Sequence, residues 1–129
     1  MGIEDPSYYQ TNPLFSGAPL LNRMAAAWTH APESNYIPLT WNFTILLAEV
    51  SQASPRAFHA CSLGLHLLNS VLAFLLLGRL GLKNLPAALV VTLFAVHPLR
   101  VESVAWASSL KGLLTTFFAL GALLIQASP

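Results

Sequence analysis

Val71-Leu72-Ala73-Phe74-Leu75-Leu76-Leu77 lies within an apolar run from Phe58 to Leu80 in which Arg79 is the only charged residue. A transmembrane helix needs about 20 predominantly apolar residues, and this run supplies them. Directly after it, Arg79, Gly81 and Lys83 form a short basic turn. A second apolar run, Leu85 to Val96, follows; with Leu82 and Leu99 included it reaches the lower limit of about 17 residues for a span. A third run, Leu113 to Ile125, extends upstream through Val104-Ala105-Trp106-Ala107. The pattern predicts an all-α membrane protein with three transmembrane helices, at about 58–80, 82–99 and 104–126, so that residues 58–127 form the membrane domain.

Composition agrees. Of 129 residues, 55% are hydrophobic and only 9% charged, against roughly 25% charged in soluble domains; mean hydropathy is +0.62. The net charge of +1 argues neither for nor against nucleic acid, and no basic run or interleaving of aromatic and basic residues supports such binding. The single Cys61 sits in an apolar run, so there is no disulfide framework and no cysteine metal site. Met1 to Tyr9 contains Glu4 and Asp5 but no basic segment of the kind that opens a signal peptide. Both ends of the chain read as cut rather than finished. Arg79 and Lys83 put the tight turn on the cytoplasmic side, and residues 1–57 with the 97–106 stretch on the opposite face. Arg100 and Lys111 run against that bias.

Residues 1–57 read as an extracytoplasmic loop with short interfacial helices. Glu4-Asp5-Pro6 and Thr11-Asn12-Pro13 are turn sequences. Ser16 is a candidate N-cap for a helix to about Trp28, with Pro19 early in it. A polar linker, His30 to Tyr36, leads to a helix from Pro38 to about Val50, on which Leu39, Phe43, Leu46, Leu47 and Val50 recur at the helical period. At about 20 Å this helix is too short to span, and with Trp41 and Tyr36 it suits the interface plane. Asn42-Phe43-Thr44 is a glycosylation sequon, but it falls inside this helix.

The polar residues inside the apolar runs need a reason to be there, since lipid penalises them. His59, Ser62, His66 and Asn69 follow i, i+3, i+7, i+10 and form one face, expected to turn inward. They serve either interhelical hydrogen bonds or contact with a substrate or head group. No metal site is expected: His59 and His66 are roughly 10 Å apart along a helix, and no His-x-x-x-His or Cys-x-x-Cys is present. In His97-Pro98-Leu99-Arg100-Val101-Glu102-Ser103-Val104-Ala105-Trp106, three polar or charged groups fall within six residues between apolar runs. Pro98 predicts that the preceding helix ends or kinks near His97. No Ser-His-Asp arrangement, phosphate-cradling glycine loop or internal repeat is visible.

The 97–106 stretch resembles a motif of the transmembrane, tetratricopeptide-repeat O-mannosyltransferase family and its bacterial relatives, within the C-type (GT-C) glycosyltransferase superfamily. Tyr36-Ile37-Pro38-Leu39-Thr40-Trp41 is similar to that family's Pro-Leu-Thr-Trp segment. Phe58-His59, followed by His66-Leu67-Leu68-Asn69, resembles its next helix. Glu4-Asp5-Pro6, with Thr11-Asn12-Pro13-Leu14, resembles the acidic motif that opens its first extracytoplasmic loop. Order and spacing agree along nearly the whole chain.

The resemblance implies part of a GT-C fold and a polytopic enzyme of the bacterial inner membrane rather than the endoplasmic reticulum. Such an enzyme passes a mannose-like sugar from a polyprenyl-phosphate carrier to an acceptor hydroxyl on a protein or glycan. It implies Glu4 and Asp5 as general-base candidates, and His97, Arg100, Glu102, Lys111, His59, His66 and Asn69 as groups near the substrate or carrier. No cofactor beyond the lipid-linked donor is implied, and the partners are membrane lipid, donor, acceptor and the remainder of the protein's own chain. Two departures stand out. The usual Asp-Asp is Glu4-Asp5 here, and the usual Ser-Glu-Arg-Lys-Asp after the Trp is Ser108-Ser109-Leu110-Lys111-Gly112. A preceding membrane helix, later helices and any tetratricopeptide repeats are expected outside these residues, so the 129 residues alone are not expected to be a competent enzyme. The alternative is a non-catalytic membrane scaffold or interaction module derived from the family.

Overall fold

The computed structural model describes residues 17–29, 36–52, 54–97 and 109–127. All regular structure among the described residues is helical: α1 (Leu20–Thr29), α2 (Pro38–Ser51), α3 (Pro55–Arg79), α4 (Asn84–Val96) and α5 (Leu110–Gln126). The chain divides into two compact units, Met1–Phe58 and His59–Pro129.

In the first unit α1 and α2 pack on each other around Ala27, Trp41 and Ile45, with Leu20, Met24, Ala26 and Ile37 at the edge. The expected start of α1 is corrected. Pro19 lies ahead of the helix and its carbonyl accepts from the Asn22 and Arg23 N–H groups; Ser16, the expected cap, is outside the described residues. Pro38 opens α2, where a missing N–H costs nothing. Gln52 closes it in the left-handed conformation (φ 52°), its N–H bonded to the Ala48 carbonyl. Arg23 pairs with Glu49 across the two helices. With its amide oriented by its neighbours, Asn42 donates to the Met24 carbonyl (3.0 Å) and accepts from Trp28 Nε1 (2.8 Å). Thr44 is buried and donates to the Thr40 carbonyl. The asparagine of the sequon is therefore spent on helix pairing.

In the second unit α3, at 25 residues, is the one helix among the described residues that is long and apolar enough to cross a membrane. It opens at Pro55, with the Ser54 carbonyl accepting from the Ala57 and Phe58 N–H groups. Its C-terminus is a Schellman turn: Leu82 N–H bonds to the Leu77 carbonyl and Gly81 N–H to the Gly78 carbonyl. That turn requires the positive φ of Gly81, 91°. The other two apolar runs give shorter helices of 13 and 17 residues. α4 stops at Val96 because His97 takes the extended backbone (φ −63°, ψ 131°) that a following Pro imposes. The upstream extension expected for the third run, Val104–Ala107, lies outside the described residues.

Candidate functional site

Four polar residues of α3 face inward and several of its large apolar residues face outward. Ser62, His66, Asn69 and Ser70 are buried, whereas Leu63, Leu67, Leu68, Val71 and Leu75 are exposed. Each inner polar group has a local reason for its place. His66 Nε2 lies 3.1 Å from the Ala95 carbonyl. Ala95 is in the last turn of α4, whose carbonyls have no partner within the helix, so the imidazole N–H supplies one. The ring also lies against Phe94, with centroids 5.7 Å apart. Asn69 Nδ2 donates to the Leu113 carbonyl of α5 at 2.9 Å; its Oδ1 is buried and takes no hydrogen bond from the described residues. Ser70 turns back on its own helix, donating to the His66 carbonyl. At the far end Arg79 donates to the Leu124 carbonyl, again in the last turn of a helix.

These contacts fix the order of the helix ends. α4 ends level with His66, α5 begins near Asn69, and α5 ends level with Arg79. The unit therefore runs up, down and up, and it brings His66, Asn69, His97 and Lys111 near the level at which α4 ends and α5 begins, part-way along α3. His97 is the exposed residue closing α4, and Lys111 is exposed in the first turn of α5. A cation in a first turn opposes the helix dipole, so Lys111 does not stabilise its own helix.

One expectation fails. His59 shares the helical face of Ser62, His66 and Asn69, but it is exposed, not turned inward. It stands about 10 Å beyond His66 along α3, past the level at which α4 ends and α5 begins. Glu4, Asp5, Arg100 and Glu102 lie outside the described residues. From residue 59 onward Glu102 is the only acid in the sequence.

Sequence reasoning placed Arg79 at a cytoplasmic turn by its charge, and missed that its guanidinium caps α5. The signal was its place as the last residue of its helix, within reach of a neighbouring helix end. Sequence reasoning also missed a groove of about 340 Å³ between α3 and α4, lined by Leu67, Ser70, Val71, Phe74, Ala88, Val91 and Thr92. None of the expected site residues lines it, and its wall is mostly apolar, with Ser70 and Thr92 as its polar residues. No protein-family model, curated protein or solved structure matches the chain.

Proposed function

We propose that the chain is part of a polytopic GT-C-type glycosyltransferase that moves a sugar from a polyprenyl-phosphate carrier to an acceptor hydroxyl. In this reading α4 and α5 join α3 as membrane helices, in a bacterial inner membrane. The observation that carries it is that His66, Asn69, His97 and Lys111 lie near the level at which α4 ends and α5 begins. The inside-out distribution on α3 supports a lipid surround: polar groups inward and leucines outward is the arrangement that hydrocarbon rewards.

The chemistry follows from the residue types. The acceptor oxygen attacks the anomeric carbon, the bond from that carbon to the carrier phosphate breaks, and the acceptor proton passes to a carboxylate, Glu4 or Asp5. The departing phosphate gains negative charge, which Lys111, Arg100 and His97 are suited to stabilise. In the full-length protein, replacing both Glu4 and Asp5 with Ala is expected to cut transfer from a lipid-linked donor by roughly 10²–10⁴-fold, the usual worth of a general base. Unchanged transfer would remove them from the reaction.

A specific observation favours a second reading, a non-catalytic membrane scaffold. The donors of His66 and Asn69 are already spent on backbone carbonyls, and Ser109, Leu110 and Gly112 stand where relatives carry charges. Absence of any transfer by the unmutated full-length protein would favour the scaffold.

A further inference from the structure

The groove between α3 and α4 has no part in the site described above. Leu67, Val71 and Phe74 of α3 and Ala88 and Val91 of α4 make most of its wall, and no charged residue lines it. Of its two polar residues, Ser70 already donates to the His66 carbonyl, and Thr92 brings a single hydroxyl. Spread between the levels of Leu67 and Phe74, roughly 10 Å apart along α3, 340 Å³ makes a slender channel. It suits a hydrocarbon chain, whereas a helix about 10–12 Å across is too wide to enter it.

What lies at one end of the groove selects the occupant. Ala88 stands about 6 Å along α4 from Asn84, and Phe74 about 7.5 Å along α3 from Arg79. The groove therefore runs towards the turn that joins the two helices, and that turn is basic. Lys83 is exposed there and caps α4 without a side-chain hydrogen bond. The Asn84 and Leu85 N–H groups that follow it are in the first turn of α4 and have no acceptor within the helix. Such a helix start, with a cation beside it, favours a phosphate. Arg79, which donates to the Leu124 carbonyl, adds a second positive charge. No carboxylate nearby in the chain answers these charges, since residues 50–101 contain no Asp or Glu.

We propose that groove and turn together hold one phospholipid with an anionic head group, its acyl chain in the groove and its phosphate at Lys83 and the start of α4. The inference rests on the membrane-spanning part of the function proposed above, not on sugar transfer. A free phosphate would leave the apolar wall uncovered, and a zwitterionic lipid would leave the two cations without a net counter-charge. Basic groups at the ends of membrane helices select anionic head groups for this reason.

The test uses the full chain in vesicles of equal parts phosphatidylcholine and phosphatidylglycerol. Alkaline extraction comes first: release of the chain would bring down the membrane-spanning reading, and the proposal with it. The retained chain is moved to a mild non-ionic detergent, and native mass spectrometry identifies the lipid that stays bound. The expected result is one phospholipid per chain, with phosphatidylglycerol favoured by at least about fivefold, the usual worth of one cation near an anionic surface. Lys83→Gln is expected to lower that preference by about fivefold. Ala88→Phe, or the milder Ala88→Leu, fills the groove from an exposed position and is expected to abolish retention of both lipids. Leu93→Phe, exposed on α4 but outside the groove wall, is expected to leave retention unchanged. Circular dichroism checks that each variant keeps its helix. No retained lipid, equal retention of the two lipids, or a preference that Lys83→Gln does not move would overturn the proposal. A dimer that the Ala88 variants dissolve would put a second copy in the groove and overturn it equally.

Discussion

Asn69 shows how a single buried amide divides its energetics. It is 1% exposed. Its Nδ2 is bonded to the Leu113 carbonyl, while its Oδ1 takes no bond from the described residues. Interhelical hydrogen bonds in membranes average about 0.6 kcal/mol, whereas an unsatisfied buried acceptor costs about 1–3 kcal/mol. The second term is the larger, so Asn69→Leu is expected to leave stability unchanged or raise it by up to about 1 kcal/mol. Asn69→Asp turns the donor into an acceptor facing a carbonyl and is expected to cost at least about 2 kcal/mol. Reversible unfolding in mixed detergent micelles measures both. In the full-length protein the same Asn69→Leu variant separates two roles. Loss of sugar transfer at unchanged stability would mark Asn69 as a substrate contact, and full transfer would leave it a helix fastener. His66 is the contrasting case, since its donor closes an open helix end: His66→Leu is expected to cost about 1 kcal/mol and His66→Gln, which keeps an N–H, less.

At the scale of elements, the turn after α3 rests on one backbone angle. Gly81 sits at φ 91°, and a Cβ there would meet nothing within 4 Å. The cost of Gly81→Ala is therefore conformational alone, expected at about 1–2 kcal/mol and read as a lowered midpoint in the same unfolding experiment. Neighbouring Gly78 has an ordinary helical φ and equal space, so Gly78→Ala is expected to be neutral or stabilising by up to about 1 kcal/mol. The difference shows what was legible in the sequence. The Phe58–Leu80 run gave α3 to within three residues at its start and one at its end, because apolar length and the Gly81 break are local properties. The end of α4 was legible for the same reason, since Pro98 dictates the backbone of His97. The faces of the helices were less so. Periodicity put His59, Ser62, His66 and Asn69 on one face, but it carries no information about where neighbouring helices stop, and His59 lies past those stops. For α2 the period-matched residues Leu39, Phe43, Leu46 and Val50 line the exposed side. Trp41 was assigned to the interface by its type, but it is buried in the α1–α2 core. Two apolar faces on one helix cannot be ranked from sequence when only the partner helix decides between them.

For the second unit as a whole, the contacts along α3 make a prediction that no single helix could. Leu85, Leu93 and Val96 of α4 are exposed, while the interior holds His66, Asn69 and Ser70 beside Leu110, Leu113, Leu114 and Leu124 of α5. Three side-chain bonds to carbonyls tie α4 and α5 to α3. Those bonds pair Ala95 with His66, Leu113 with Asn69, and Leu124 with Arg79, so the direction of each helix is set. If α4 and α5 cross with α3, the turn at Leu82 and the residue after α5, Ala127, emerge on the same side, and His97 on the other. α4 and α5, at about 20 and 25 Å, are shorter than the roughly 30 Å hydrocarbon core, so they cross only if the bilayer thins or their flanking residues extend them. Single cysteines at Leu82, Ala127 and His97 in the Cys61→Ser chain, labelled in sealed vesicles with an impermeant maleimide before and after permeabilisation, decide the matter. Leu82→Cys and Ala127→Cys are expected to share one labelling behaviour and His97→Cys to show the opposite one. If Leu82→Cys and His97→Cys label alike, α4 does not cross and the unit is a single span with two helices lying on one surface. In that case the bonds from Arg79 and Asn69 could not both survive in a bilayer, because they hold the two ends of α5 about 15 Å apart in depth along α3.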